Sequence, residues 1–215
     1  MFITVEGIEG SGKSTLIASL AERLEATGRS CLVTREPGGC RLGEDLRRIL
    51  LESARRLDDR AELFLFLADR AQHVSEVVRP ALSRGEWVIC DRYADSTVAY
   101  QGYGRGMNAA MLRNASDAAA GGLTPDLTFL LDLPAEEGLR RARMRNLTEG
   151  TEASEGRFEA EELAFHERVR TGFLKLARME PARFAVLDAR RPPQELLANA
   201  LERLGISFPA QLKTC

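Results

Sequence analysis

Apolar residues along this chain gather into five short blocks, separated by longer stretches with helical spacing. The blocks are Phe2–Glu6, residues 30–34, Trp87–Asp91, Leu127–Asp132 and Phe184–Asp188. Each is rich in Val, Ile, Leu or Phe, and none alternates cleanly with polar residues, which is the pattern of strands buried on both faces of a parallel sheet. Between them, residues 14–26 set Leu16, Ile17, Leu20 and Leu24 on one helical face, and residues 43–52 do the same with Leu46, Ile49 and Leu50. Further helices are predicted over 59–82, 135–145, 159–179 and 192–204, the last opening on prolines that suit a first turn. Strand and helix in alternation predict an α/β three-layer sandwich around a five-stranded parallel sheet. No repeat or linker divides the chain, so residues 1–215 are expected to form one domain. Residues 146–156, rich in Thr, Glu, Gly and Ser and without apolar anchors, are expected to form a mobile loop. The tail from Phe208 has no strong pattern.

Composition narrows the field of functions. A chain of 215 residues that is 44% hydrophobic can build its core without disulfides or structural metal. The net charge of -2 provides no basic field, so no nucleic-acid partner is expected. No apolar run is long enough to span a bilayer, and the chain opens directly on a strand, so a cytoplasmic protein without a leader is expected. Cys31, Cys40, Cys90 and Cys215 form no CxxC pair, and His73 and His166 lie far apart, which argues against a tetrahedral metal site. Cys31 and Cys90, inside apolar blocks, read as buried free thiols. Only Lys13, Lys175 and Lys213 are lysines among 30 basic residues, so a lysine within a motif marks a position that needs an ammonium group. Lys13 is such a position.

Residues 7–15 read Gly-Ile-Glu-Gly-Ser-Gly-Lys-Ser-Thr. This is the phosphate-binding loop G-x-x-x-x-G-K-[ST], between an apolar strand and an amphipathic helix as the motif requires. Gly7, Gly10 and Gly12 let backbone N–H groups converge on phosphate oxygens, with Ile8, Glu9 and Ser11 completing the loop. The helix that starts at Lys13 presents its positive end. Lys13 is placed to reach the outer phosphates of a nucleoside triphosphate, and Ser14, followed by Thr15, offers a hydroxyl to magnesium. Expected cofactor and co-substrate are therefore Mg2+ with ATP. No Asn-Lys-x-Asp motif follows a later strand, which argues against a guanine-nucleotide switch.

The third block ends in Asp91-Arg92-Tyr93. An Asp at a strand's carboxyl end lies beside the phosphate loop in this architecture, near the magnesium, so Asp91 joins Ser14 as a candidate metal ligand. Arg92 points into the same crevice, where a planar, permanently charged guanidinium can clamp a phosphate.

Three further segments carry a family resemblance. They are Thr34-Arg35-Glu36-Pro37-Gly38-Gly39, then Asp91-Arg92-Tyr93 with Ser96-Thr97-Val98-Ala99-Tyr100-Gln101-Gly102, and Arg157-Phe158-Glu159 with Phe165-His166-Glu167-Arg168-Val169-Arg170. In order and spacing over residues 1 to about 190, this set resembles the bacterial-type thymidylate kinases, a branch of the P-loop nucleoside monophosphate kinases. The resemblance implies transfer of the ATP γ-phosphoryl group to dTMP, and a homodimer. The apolar helix around Leu63 and Leu67, with Val74, Val77 and Val78, is a candidate interface, although the pattern equally suits core.

By the same resemblance, Glu9 holds the deoxyribose 3′-hydroxyl, and a carboxylate among anion-binding amides does call for a separate task. Phe66 matches the thymine-stacking aromatic and Arg70 the base-contacting arginine. They lie four residues apart on one helix face, although spacing alone would make Phe66 plain core. Arg92 matches the acceptor-phosphate arginine, Thr97 and Gln101 base- and sugar-facing positions, and Tyr100 the tyrosine beside the sugar's 2′ carbon. Pro37 shapes the backbone facing the acceptor phosphate, and Arg35 is a weaker phosphate candidate. A purely structural role for the 97–101 segment would be a helical turn capped by Ser96. The loop has Ser11 and no arginine of its own, so the lid, about residues 143–157, is expected to supply one from Arg143, Arg145 or Arg157. Arg140 and Arg141 read as a solvated helix face. The chain departs from the family at Gly156, where Asp is frequent, and at Cys40, where Thr is.

Overall fold

A computed structural model describes residues 1–52, 57–149, 158 and 161–206. Five parallel strands, β1 (Phe2–Glu6), β2 (Cys31–Arg35), β3 (Trp87–Asp91), β4 (Leu127–Asp132) and β5 (Phe184–Asp188), lie in the order β2-β3-β1-β4-β5. β1, β3 and β4 are buried along nearly their whole length, whereas the edge strands β2 and β5 are only partly covered. Continuous apolar blocks therefore located the strands well. The one shift is β2, which runs one residue later than its block because Arg35 pairs with Asp91 at the carboxyl edge.

Helix α1 (Lys13–Ala26) buries Leu16, Ile17, Leu20 and Leu24, as its spacing predicts, and packs on the C-terminal helix α9 (Pro193–Arg203). Helix α2 (Arg41–Arg47) runs into a π-helical turn over Arg48–Glu52. Cys40 caps α2: its Sγ accepts from the Gly43 N–H at 3.4 Å, so this departure from the family motif keeps a weak cap where Thr would supply an oxygen. The long helix expected over 59–82 is α3 (Asp59–His73), a π-helical stretch over Val74–Val78, and α4 (Arg79–Ser83). Of the apolar positions considered for an interface, Leu63, Val74 and Val78 are core, and Leu67 is partly buried; the large exposed side chain on α3 is Phe64, at 66%.

Of the two helices between β3 and β4, the first was expected only as a helical turn and the second escaped the sequence reading. α5 (Ala94–Thr97) continues as a π-helical stretch over Val98–Gly104, and α6 (Ala109–Ala120) follows. α6 is rich in alanine with a single leucine at its buried face, so no apolar stripe marks it. Ser96 is not a cap: it lies inside α5, and no side chain caps that helix.

Helix α7 (Ala135–Glu149) extends four residues past its predicted end, so residues 146–149 of the expected loop are helical. Residues 150–157, with Gly156 and Arg157, lie outside the described residues, as do Lys213, Cys215 and the tail from 207. Helix α8 (Leu163–Met179) starts later than its pattern and packs against the π-helical stretch over Val98–Gly104. Cys90 is buried as expected, while Cys31 is only half-buried, on the edge strand.

Candidate active site at the carboxyl ends of β1 and β3

The carboxyl end of β1 runs straight into residues 7–12 and then α1. No side chain caps α1 and no acidic residue sits in its first turn, so its first N–H groups are left for an anion. Gly10 has φ +70°, and a Cβ there would meet the Gly138 carbonyl oxygen at 2.1 Å. A Cβ on Gly138 would in turn meet the Glu9 carbonyl oxygen at 2.6 Å. The first turn of α7 thus rests directly on the phosphate loop, a contact that only two glycines permit. Gly138 carried no sequence signal as a site residue.

The loop borders a cavity of about 570 Å³. Glu9, Gly10, Ser11, Gly12, Lys13, Ser14 and Thr15 line it from the loop; Phe66 and Arg70 line it from α3; Asp91, Arg92, Thr97, Tyr100 and Gln101 line it from the end of β3 onward. Arg35 lines it from the end of β2, and Glu36 and Pro37 from the turn that follows. The structure thus gathers residues that the sequence scatters over ninety positions. Gly7 and Ile8 stand behind the lining: Ile8 is core, and the Gly7 carbonyl oxygen accepts from Lys13 Nζ at 3.3 Å and Arg92 Nη1 at 3.0 Å.

The lid helix divides by periodicity. Arg141 and Arg145, four residues apart on one face, line the cavity, whereas Arg143 is exposed and outside the lining. Arg141 was expected on a solvated face. Instead it is half-buried, donating to the Ala189 carbonyl and to Glu137. Arg140 is solvated as expected. Sequence reasoning also missed Arg47, Leu51, Tyr93 and Phe158. The 3.6-residue period pairs Arg141 with Arg145, but which face of α7 is covered is set by tertiary packing.

Arg92 holds φ +66°, unusual for a residue with a side chain. That backbone turns its guanidinium back over the loop, to the Gly7 carbonyl, the Ser96 hydroxyl and Glu9 Oε1 at 3.0 Å, and 4.9 Å above the Tyr100 ring. Glu9 is buried and also accepts from the Tyr100 hydroxyl at 2.6 Å. Burial disfavours its charge, but His166, Arg92, Lys13 and Tyr100 outweigh that and hold its carboxyl well below the usual range. Asp91 has a buried Oδ1 with no hydrogen-bond partner among the described residues.

A second buried network sits beneath the turn after β2. Arg70 is 2% exposed, and its three guanidinium nitrogens donate to Glu36 Oε2, Ser116 Oγ and Thr97 Oγ1. His73 bridges Glu36 Oε1 at 2.9 Å and Thr34 Oγ1 at 2.7 Å. Asp69 accepts the Gly38 N–H. Arg47 donates to the Pro37 carbonyl. The turn is thereby fastened to α3, the helix that carries Phe66. Gln101 donates to buried Glu62, and Phe66 lies 6.3 Å from Phe158, ring to ring.

Under the loop, Glu6 is fully buried and accepts from the Tyr93 N–H and from the Ser96 hydroxyl. Burial and the nearby charge of Asp95 push its carboxyl from 4.5 to about 8, against the opposing pull of Ser96, Arg92 and Tyr93. Asp95 keeps its own charge partner in Arg183, which grips both its oxygens at 2.7 and 2.9 Å. A carboxyl whose folded value is raised binds its proton more tightly when folded. The contribution of Glu6 to stability is then fully present below about 4.5 and is lost as pH rises through about 8. Glu6→Gln, which keeps the shape and can donate to Ser96, is expected to flatten the loss of urea midpoint between pH 5 and 8. An unchanged slope would show that Glu6 does not titrate there.

Comparison with known proteins shows the family of the chain. The family model described as thymidylate kinase matches residues 5–200. The chain belongs to the thymidylate kinase family. It is 61% identical over 202 residues to the thymidylate kinase of Solidesulfovibrio magneticus, covering 94% of this chain and 96% of that one. It is 58% identical to that of Nitratidesulfovibrio vulgaris (strain Miyazaki F), over 98% of this chain and all of the relative. Among solved structures, thymidylate kinase from Ehrlichia chaffeensis matches with a TM-score of 0.75 and 33% identity, covering 95% of this chain and 98% of that one. The chain is thus a kinase that phosphorylates dTMP, on the α/β fold expected of a thymidylate kinase.

Proposed function

We propose that the cavity is the phosphoryl-transfer site, with ATP on the phosphate loop and dTMP against α3 and the 92–101 segment. The observation that carries this reading is one cavity lined both by the uncapped start of α1 with Lys13 and by Phe66 with Phe158, with Arg92 in the same lining. The backbone of residues 9–15 and the Lys13 ammonium hold the donor phosphates. Arg92 leaves Glu9 and the Gly7 carbonyl to take the acceptor phosphate. Arg70 and Gln101 face the base, Thr97 borders it, Tyr100 flanks the 2′ carbon, and Glu9 takes the 3′-hydroxyl. Pro37 directs its turn toward the acceptor phosphate.

The donor set fits magnesium. Asp91 brings an unpartnered carboxylate oxygen, and Ser14 a hydroxyl in the same lining. Mg2+ held by Asp91 and Ser14 would neutralise charge on the transferred phosphates. The acceptor is already a phosphate anion and needs no strong base. Lys13, Arg92 and a lid arginine therefore work by positioning and charge neutralisation. Arg145 and Arg141 are the described lid candidates, and α7 over the loop helps to exclude water. Arg143 is set aside in their favour, and Arg157 remains a candidate outside the described residues. We further propose a cytoplasmic homodimer packed through α3, supported by the exposure of Phe64 and by the absence, among the described residues, of a helix long and apolar enough to cross a membrane.

Phe66→Ala tests the acceptor assignment. It removes a ring that is only partly buried, so the fold should survive. The dTMP KM is expected to rise about tenfold or more for a lost stacking ring, with the ATP KM unchanged. An unchanged dTMP KM would return Phe66 to the core.

A further inference from the structure

We propose that His166 is a positioning residue for the acceptor sugar, acting through the carboxylate of Glu9. The inference rests on the reading that Glu9 takes the 3′-hydroxyl. His166 is fully buried on α8, yet neither ring nitrogen has a hydrogen-bond partner among the described residues. Glu9 Oε2 likewise has no aligned hydrogen bond. The two groups face each other: His166 Nδ1 lies 3.2 Å from Glu9 Oε2, close enough to favour the Glu9 charge but out of hydrogen-bond alignment. Buried polar atoms are rarely left unpaired without a purpose, because desolvation without a partner costs free energy.

The other carboxylate oxygen explains the arrangement. Oε1 is held twice, by the Tyr100 hydroxyl at 2.6 Å and by Arg92 Nη2 at 3.0 Å. Arg92 is the group that must turn to the acceptor phosphate. When it does, Glu9 loses a cation while remaining buried. His166 is already within reach of the free oxygen, and a small shift of the Glu9 side chain aligns Nδ1–H with Oε2. One donor on each oxygen, from Tyr100 and from His166, then fixes the carboxylate plane and aims the remaining lone pair of Oε1 at the sugar. α8 is wedged against the π-helical stretch carrying Tyr100, and Phe165 packs edge-on against His166 at 5.4 Å, so both donors sit in rigid surroundings. A histidine serving only as core filler needs no nitrogen turned to a carboxylate.

The test compares dTMP with 3′-deoxy-dTMP in the wild type, His166→Leu, His166→Gln, His166→Asn and Glu9→Gln, with thermal unfolding of each. The asparagine amide reaches the place of Nδ1, while the glutamine amide reaches that of Nε2. In His166→Leu and His166→Gln, kcat/KM for dTMP is expected to fall about tenfold, mainly through KM, as for a lost bond to a charged group. Their turnover of 3′-deoxy-dTMP stays within about twofold, and His166→Asn recovers most of the loss on dTMP. Equal losses on both acceptors in all three His166 variants, or no loss, would overturn the inference in favour of packing alone. If His166→Leu does not fold, the contrast between Asn and Gln decides. If Glu9→Gln loses the preference for dTMP but the His166 variants keep it, only the role of His166 fails. If wild type and Glu9→Gln treat the two acceptors alike, the assignment of Glu9 fails first.

Discussion

Lys13→Met is expected to lower kcat about a thousandfold while leaving stability within about 1 kcal/mol, the first because a preorganised cationic donor to the transferred phosphate is lost. The contrast follows from the geometry. Lys13 Nζ donates to the carbonyls of Gly7 and Ile8, at 3.3 and 3.1 Å. Both carbonyls keep another donor without it: Arg92 Nη1 reaches Gly7, and the Ser11 N–H reaches Ile8. Methionine fills the same buried channel with an unbranched stem, so the loop should keep its shape. Turnover by coupled ADP release, set beside thermal unfolding, measures both halves. Near-normal turnover would remove Lys13 from the phosphate site, whereas a large loss of stability would make it a structural brace.

The second large effect is expected in the fold itself. Arg70→Leu should destabilise the protein by about 3–5 kcal/mol, because it strands the buried charge of Glu36. Glu36 is 4% exposed and shares its two oxygens between Arg70 and His73. Thr97 and Ser116 lose their donor as well. The turn that carries Pro37 and the cavity wall at Thr97 both loosen, so the dTMP KM should rise in parallel. Adding Glu36→Gln removes the stranded charge, and the double variant should recover part of the stability. Urea unfolding checks it. A loss below about 1 kcal/mol would show that the Glu36 charge is relieved without Arg70.

Local signals located most of the residues that line the candidate site. The phosphate loop, Asp91-Arg92-Tyr93 and the turn after β2 are contiguous motifs, and residues 9–15, 91–93 and 35–37 line the cavity. Residues that act across elements were not legible. His166 was seen only as part of a motif, and its nearness to Glu9 joins positions 157 residues apart in sequence (166 − 9). Gly138 and Gly10 touch because α7 lands on the loop, which no local pattern encodes. Arg141 and Arg143 differ by two residues and lie on different faces of one helix, so their roles separate only once the buried face is known. Glu36 read as part of the motif after the second block and Arg70, by resemblance, as a base-contacting arginine, and only their meeting makes them a buried pair.

The sequence by itself determined the strands, the parallel α/β class, the glycine-rich loop that leads into α1 and the family. These depend on period, on glycine and on short spacing, all of which act within a few residues. Tertiary structure alone decided which polar groups were taken out of water together: Glu9 with Arg92, Tyr100 and His166; Glu36 with Arg70 and His73; Glu6 with Ser96 beside Asp95. The reason is physical. The charge and reactivity of such a group depend on its solvation and on neighbours within a few ångströms, and both are fixed by how distant segments pack.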